Sequence, residues 1–321
     1  MNKRFGFSML TLFAVCAFGF ALGTMVNNGA PAVALAKEAA VQAPAAPVAD
    51  DGKLRIIIFG AHPDDSEYTG AGVAMKWARQ GHHVKFVSTT NGDIGHWGQA
   101  GGPLAVRRIK EVEAVAKRMG VTVEVMDNHD GEIMPTMENR RAFTRLIRQW
   151  NADIVIGPRT NDYHPDHRYT GILLQDSAFM VAVPWFCPEV PALKKNPVFF
   201  YKSDRFQKPN PFVADVAVGI DEVIEPTLDA LLEMVSQIHE GGANGDASLY
   251  PADPAARKKR HEDVRRSLAR RYASGATQYR ATLTKFYGEE AAKKIQYAQA
   301  FEICEYGRRP SQDELKKLFP F

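Results

Sequence analysis

The stretch that decides the fold covers residues 54–65 and reads Leu-Arg-Ile-Ile-Ile-Phe-Gly-Ala-His-Pro-Asp-Asp. Its first six residues form an apolar, β-branched run that is typical of a buried strand, and the polar cluster His62-Pro63-Asp64-Asp65 closes it. A second apolar run, Asp153 to Ile156, is followed shortly by a similar cluster, His164-Pro165-Asp166-His167. Together the two clusters contain the donor groups of a divalent metal site.

Outward from this stretch, strand and helix patterns alternate. Further apolar runs lie at Val84 to Thr89 and Val121 to Val125, and a stripe with helical spacing precedes the run at Asp153. Such alternation indicates an α/β protein with a mostly parallel sheet and helices on both faces. In such sheets the ligand site lies at the C-terminal ends of the strands, where both clusters fall. Beyond Pro184 the pattern predicts strands within 198–201 and 213–220 and helices within 257–271 and 291–301.

The N-terminus is typical of an export signal. Lys3 and Arg4 precede an apolar run from about residue 5 to residue 22, and Ala34-Leu35-Ala36 provides a cleavage site. We therefore expect residues 1–36 to be a signal peptide, 37–52 a flexible linker and 53–321 a single domain with a C-terminal helical extension. The expected location is periplasmic or secreted, without stable membrane insertion after cleavage. The open alternative is an uncleaved N-terminal membrane anchor.

The composition is that of an ordinary globular protein, with 45% apolar and 24% charged residues among 321. The formal net charge of +3 falls by two, to +1, when residues 1–36 are removed. This balance gives no basis for a nucleic-acid partner. Cys187 and Cys304 then remain, too few for a disulfide scaffold, and both burial and pairing stay open.

The first cluster predicts two metal ligands and a base. His62 and Asp65 are three residues apart, so both can face one side of a tight turn while Asp64 points elsewhere. His62 and Asp65 are therefore the predicted ligands, and Asp64 is the predicted general base that takes a proton from water. The alternative is helix capping by Asp64, Asp65 or Ser66, which would leave His62 unexplained.

The second cluster completes the predicted site. His167 is the third predicted ligand, and His164 is left as an acid for the leaving amine or a stabiliser of the oxyanion. Asp166 is counted with the catalytic residues because it could orient an imidazole. The alternative is a polar surface loop in which Asp166 caps the following helix.

These residues resemble those of a known family. Residues 61–65, the Thr90-Asn91-Gly92-Asp93 turn, Arg108 with Glu111, and residues 164–167 are similar, in this order, to the PIG-L (LmbE-like) family of zinc-dependent N-acetylglucosaminyl deacetylases. The resemblance covers roughly residues 54–240. It departs from the family in one place: the family commonly reads Asp-Asp-Glu, whereas here Ser66 precedes Glu67, which puts a role for that glutamate in doubt.

The resemblance implies a Rossmann-like fold and a Zn²⁺ ion held by His62, Asp65 and His167. It also implies Asp64 as base, His164 as acid or oxyanion stabiliser, and Arg108 and Asp130 as substrate-binding residues that contact the sugar. The implied activity is removal of the acetyl group from an N-acetylated amino sugar, free or part of a glycoconjugate. A zinc amidase acting on another N-acyl or thiol-conjugated glycoside is the alternative, and the donor set also suits Fe²⁺.

Two other functional classes fit the residues less well. A dinucleotide-binding oxidoreductase needs a glycine-rich turn after the first strand, but this turn carries Asp64 and Asp65, which would repel a pyrophosphate. A non-catalytic carbohydrate-binding protein would keep the metal as structure, and it does not account for the spare carboxylate of Asp64. The oligomeric state is not determined by the sequence.

Overall fold

The computed structural model describes residues 51–321, and in that range the strands belong to one seven-stranded sheet. The predicted signal peptide and most of the predicted linker lie outside the described residues. The strands are β1 (Arg55–Gly60), β2 (His83–Ser88), β3 (Thr122–Val125), β4 (Ile154–Gly157), β5 (Val198–Lys202), β6 (Val216–Gly219) and β7 (Ala298–Gly307).

The order of strands across the sheet is β3-β2-β1-β4-β5-β7-β6. The first five of these are parallel to one another, and β7 runs antiparallel to both β5 and β6. The prediction of a mostly parallel sheet is therefore confirmed. The chain leaves β1 for β2 on one side and later returns to β4 on the other, so strand order reverses between β1 and β4, where α/β sheets open a ligand crevice.

Helices cover both faces of the sheet, as predicted. Side chains alternate along β1, so Ile56 and Ile58 belong to one apolar core and Ile57 and Phe59 to the other. The first core includes Trp77 and the second includes Phe143. The helices are α1 (Asp65–Arg79), α2 (Gly102–Met119), α3 (Met137–Trp150), α4 (Pro165–Met180), α5 (Ile224–Leu231), α6 (Val235–Ile238), α7 (Pro254–Gln278), α8 (Arg280–Tyr287), α9 (Glu289–Lys294) and α10 (Gln312–Leu318).

One prediction about the C-terminal region is wrong. The sequence predicts a helix within 291–301, but the helical part ends with α9 at Lys294, and Ala298–Gly307 forms β7. This strand hydrogen-bonds to β5 on one side and β6 on the other, so it lies inside the sheet. The alanine-rich sequence favours a helix locally, and pairing with two neighbouring strands outweighs that preference.

The described residues also give the state of the two cysteines and the character of the helices. Cys187 and Cys304 are both buried and both free, so they do not form a disulfide with each other. Among residues 51–321, each helix is too short or too polar to cross a bilayer.

Candidate metal centre and active site

A close approach between β1 and α1 places the first two predicted ligands. A Cβ atom on Gly60 would lie 2.5 Å from Cβ of Asp65 and 2.9 Å from the backbone nitrogen of Ser66, so only glycine fits there. The carboxylate of Asp65 accepts hydrogen bonds from the backbone N–H groups of Ala61 and His62, both at 2.9 Å. The turn therefore holds the carboxylate of Asp65 against the backbone that carries His62.

Three donor atoms converge between this turn and α4. Nε2 of His167 lies 3.2 Å from Oδ2 of Asp65 and 3.3 Å from Nδ1 of His62. The distance between Oδ2 of Asp65 and Nδ1 of His62 is 3.5 Å. Zinc binds nitrogen and oxygen at about 2.0–2.2 Å in a tetrahedron, which requires ligand atoms separated by about 3.3–3.5 Å. The spacing of the three atoms therefore fits one such ion.

The second nitrogen of each of these histidines faces a carboxylate. Nε2 of His62 lies 3.0 Å from Oδ1 of Asp130 and 3.2 Å from Oδ2 of Asp166, and Nδ1 of His167 lies 3.1 Å from Oδ1 of Asp162. Metal-binding histidines characteristically donate their other N–H to a carboxylate, which sets the tautomer and the ring orientation. These contacts leave Nδ1 of His62 and Nε2 of His167 free for a metal.

Neighbouring carboxylates also stabilise the protonated forms of His62 and His167 when no metal is bound. Burial alone would lower the pKa of His167, but Asp65 and the hydrogen bond to Asp162 outweigh it and raise the pKa to about 9. Burial also opposes protonation of His62, and its three carboxylate neighbours, Asp130, Asp166 and Asp65, raise its pKa well above the ordinary value. In the metal-free protein both imidazoles are therefore cationic at neutral pH.

Asp166, predicted among the catalytic residues, is completely buried. Besides contacting His62, its Oδ2 accepts a 2.6 Å hydrogen bond from the backbone N–H of Gly131. Asp166 is thus placed where it can orient the imidazole of His62. It does not cap α4 through its side chain, because the cap is His164, whose Nδ1 accepts the 3.2 Å hydrogen bond from the backbone N–H of Asp166.

This cap determines the tautomer of His164. Since Nδ1 accepts a hydrogen bond, the proton of the neutral imidazole lies on Nε2. Burial and the neighbouring His62 and His167 lower the pKa of His164, which keeps it neutral near pH 7. Its ring lies 4.6 Å from that of His62 between centroids. His164 is therefore a hydrogen-bond donor beside the three converging atoms.

A different set of ligands can also be drawn from the same residues. Single donor atoms of His62, His164 and His167 lie within 4.8 Å of one another, and so do those of His62, Asp130, His164 and Asp166. We favour His62, Asp65 and His167 for two reasons. Their separations match a tetrahedron, and Nδ1 of His164 already accepts a backbone N–H.

Asp64 is the N-cap residue of α1, yet its side chain makes no capping hydrogen bond. Capping therefore does not explain this residue. Its Oδ2 instead lies 3.3 Å from Nη2 of Arg108. Burial raises the pKa of Asp64 against the lowering effect of Arg108, which is the direction that a general base at neutral pH requires.

Arg108 and Asp130, the predicted substrate-binding residues, are both buried. Arg108 is 2% exposed, and it donates to the carbonyl oxygen of Gly92 at 3.0 Å and to that of Pro63 at 3.3 Å. Asp130 is also buried, with one oxygen at His62 and the other 3.7 Å from Nη1 of Arg108. The structure thus places Arg108 against Asp64 and Asp130 against His62, and contact with a sugar stays a prediction.

Glu67, whose role the resemblance left in doubt, is completely buried on α1. Neither of its carboxylate oxygens has a hydrogen-bond partner within the described part of the chain. Burial, with a smaller contribution from Asp64 and Asp65, raises its pKa to about 8. The residue is therefore a neutral acid at pH 7 and contributes no charge to the site.

Sequence reasoning missed two residues that border the centre. Asp162 bonds to His167 as described above, and Lys202, the last residue of β5, has its Nζ 3.7 Å from Oδ1 of Asp65. Asp162 could have been found from its place five residues before His167 in the same loop. Lys202 carries no local signal, because it reaches the site only through the pairing of β5 with β4.

One family model matches the chain. It is described as GlcNAc-PI de-N-acetylase, PIG-L, and it matches residues 57–177. This segment runs from β1 into α4 and contains both polar clusters.

Solved structures share the fold at low sequence identity. The N,N'-diacetylchitobiose deacetylase from Pyrococcus horikoshii, complexed with its inhibitor MPG, is 24% identical, with a TM-score of 0.55 over 78% of this chain and 83% of that one. GalB, the 4-carboxy-2-hydroxymuconate hydratase from Pseudomonas putida, is 16% identical, with a TM-score of 0.63 over 81% and 99%. The zinc-inhibited form of the teicoplanin deacetylase Orf2 is 13% identical, with a TM-score of 0.50 over 78% and 99%. One fold thus serves deacetylases and a hydratase, so function has to be argued from the site.

Proposed function

We propose, from the PIG-L family domain that residues 57–177 carry, that this protein is a metal-dependent hydrolase that removes the acetyl group from an N-acetylated amino sugar. The observation that carries the proposal is the convergence of His62, Asp65 and His167 at separations of 3.2–3.5 Å, with Asp64 and His164 from the same two turns. The two deacetylases of the same fold support it.

We assign Zn²⁺ to the centre because two imidazoles and one carboxylate form a donor set of catalytic zinc sites. The same set also accepts Fe²⁺, so metal analysis of the purified protein has to decide. An ion held by His62, Asp65 and His167 would polarise the acetyl carbonyl and lower the pKa of a water molecule toward ~7. The residues of the chain then supply the proton transfers.

Asp64 takes the proton of the attacking water. Arg108 holds the carboxylate at 3.3 Å, and its fixed position limits the orientations that Asp64 can adopt. His164 donates Nε2–H to the oxygen that becomes negative as the carbonyl is attacked, because its Nδ1 is occupied by the backbone of Asp166. The proton taken by Asp64 is then available for the leaving amine, and acetate is released.

An Asp64→Asn variant tests the proposal. We expect it to bind one equivalent of zinc per chain, since Asp64 is not a proposed ligand, and to lose about 10²- to 10⁴-fold in turnover of an N-acetylated sugar. The measurements are elemental analysis and acetate release. Asp313→Asn, an exposed position in α10, is the matched control and should retain both properties. Undiminished turnover by the Asp64 variant would remove its role as base.

Export is a separate proposal that rests on the N-terminal sequence. Lys3 and Arg4, the apolar run after them and Ala34-Leu35-Ala36 support cleavage after residue 36. N-terminal sequencing of the protein recovered from the extracytoplasmic fraction should begin at Lys37. An intact N-terminus in the membrane fraction would favour the anchor instead.

A further inference from the structure

A cavity of about 550 Å³ opens beside the metal centre. Asp65, His167 and Tyr163 lie on its side toward the centre, and it extends from there to the end of β5 and to α7. Its volume falls within the roughly 300–1,000 Å³ of known small-molecule sites. A ligand that reacts at the centre therefore has room to extend into it.

The wall of this cavity contains four lysine and arginine side chains, and a carboxylate neutralises one of them. The guanidinium of Arg159 binds both carboxylate oxygens of Asp204, each at 2.6 Å. Asp162, another acid of the wall, is held by His167. The other three positively charged side chains of the wall are those of Lys202, Arg205 and Arg271.

Lys202 is a buried cation that faces the cavity. The residue is only 6% exposed, and within residues 51–321 its ammonium is paired with Oδ1 of Asp65 at 3.7 Å, a distance too long for a hydrogen bond. A buried ammonium is costly unless hydrogen bonds or opposite charges compensate it. Asp65 compensates it weakly, because its charge is also directed at His62 and His167.

Arg205 and Arg271 lie further along the same wall. Both are exposed, and neither forms an ion pair with any residue of the described chain. The guanidinium of Arg271 is 5.5 Å from the centroid of the Tyr68 ring, which fixes its position without neutralising its charge. A second depression, of about 560 Å³, continues past Tyr68 and shares both arginines, so the positive wall leads outward from the metal centre.

We propose that the substrate carries a negatively charged substituent, a carboxylate or a phosphate, that binds in this cavity against Lys202, Arg205 and Arg271 while its N-acetyl group lies at the metal centre. The proposal rests on the proposed deacetylase function and makes its substrate class specific. All three residues lie outside the segment matched by the family model, so this part of the site belongs to the second half of the chain. With either substituent, the ligand is an N-acetylated sugar that carries an anionic group.

Two size-matched pairs of compounds test the proposal with the full-length, zinc-loaded protein. N,N'-diacetylchitobiose is compared with a disaccharide in which N-acetylglucosamine is linked to glucuronic acid, and methyl N-acetylglucosaminide is compared with N-acetylglucosamine 1-phosphate. We expect kcat/KM for acetate release to be about 10- to 100-fold higher for the charged member of at least one pair. The preference should decrease as salt is raised, because the arginines are exposed. The pair that shows the preference identifies carboxylate or phosphate.

Variants of the cavity residues test whether these side chains cause the preference for the charged compound. Arg271→Gln and Arg205→Gln should each lower the ratio of charged to neutral kcat/KM, mainly by raising KM for the charged compound. Arg141→Gln, an exposed position of α3 outside the cavity, should keep the wild-type ratio. A wild-type ratio of one or less in both pairs would overturn the proposal, and so would a ratio that neither cavity variant changes.

The same measurements distinguish failure of the anion-site proposal from failure of the proposed deacetylase function. Equal turnover within both pairs would leave the deacetylase in place and remove the anion site. No acetate from any of the four compounds, with zinc bound, would remove the deacetylase. In that case calorimetric binding of the same compounds decides on the anion site: tighter binding of a charged member that Arg271→Gln weakens supports it, and equal binding removes it.

Discussion

Carboxylates set the protonation state of the two histidines that face the proposed ion. Asp162 holds Nδ1 of His167, and Asp130 and Asp166 hold Nε2 of His62. These contacts point one lone pair of each ring at Asp65 once the rings lose their second proton. The site is therefore prepared for a metal by residues that would not touch it.

The first prediction follows from the raised pKa values of these histidines. In the metal-free protein the pKa of His167 is about 9 and that of His62 is also raised, so both rings carry an extra proton at pH 7. Zinc binding must displace these protons. We expect release of about two protons per ion and an apparent affinity that rises by about two orders of magnitude per pH unit between pH 6 and pH 8.

Calorimetric titration of the metal-free protein with zinc, in buffers of different ionisation enthalpy, counts the protons. The raised pKa of His167 also makes the stability of the metal-free protein depend on pH. Because the folded-state pKa values are raised, protonated His167 stabilises the metal-free protein below about pH 6.5, and this contribution is lost as the pH rises through about 9. Zinc affinity that stays constant from pH 6 to pH 8 would show that the rings are already neutral.

At the scale of elements, a buried arginine secures the far end of the helix that carries His167. Arg148, in the last turn of α3, donates to the carbonyl oxygens of six residues at 2.5–3.1 Å. These carbonyls belong to the end of α4 and the loop after it, which are Met180, Val181, Val183, Phe186, Cys187 and Val190. Four of these carbonyl oxygens also accept a backbone N–H, whereas those of Phe186 and Val190 have Arg148 as their donor within residues 51–321.

Replacing this arginine should be among the more destabilising changes in the domain. Arg148→Ala leaves the carbonyl groups of Phe186 and Val190 without this donor and removes four further hydrogen bonds, and a hydrogen bond to a charged group contributes about 1.5–3 kcal/mol. We expect the free energy of unfolding to fall by at least ~3 kcal/mol, measured by urea denaturation. Arg141→Ala, exposed on the same helix, should change it by less than about 0.5 kcal/mol. Equal effects of the two variants would show that these hydrogen bonds add little.

The parts of the site that the sequence predicts are those in which structure is local. His62 and Asp65 belong to one turn, and His164 and His167 to another, so spacing alone groups them. The first four strands are also short runs rich in apolar, β-branched residues. Lys202 and β7 could not be predicted in this way, because strand pairing between distant segments places them. The depth of Arg108 depends likewise on packing, since the loop at Gly92 closes over its side chain.

At the scale of the whole molecule, the C-terminus secures the helix that begins at Asp65. Nε1 of Trp77, in α1, donates to the carbonyl oxygen of Leu318 at 2.9 Å. The ring of Phe319 is 1% exposed and lies 5.1 Å from that of Trp77, 5.4 Å from that of Phe200 in β5 and 5.8 Å from that of Phe301 in β7. One terminal side chain therefore joins α1 to two strands of the sheet.

Phe319→Ala should accordingly destabilise the entire domain. Removing a buried phenylalanine ring costs about 3–5 kcal/mol through lost burial and the cavity that remains. The matched control is Phe179→Ala in α4, where the side chain is 71% exposed and the expected change is within about 0.5 kcal/mol. Unfolding of both variants in urea, followed by tryptophan fluorescence, compares the two. Since α1 begins at a proposed ligand, we also expect Phe319→Ala to lose zinc at a lower urea concentration than the control. A loss of stability no larger than that of Phe179→Ala would show that the C-terminal residues cover the core without supporting it.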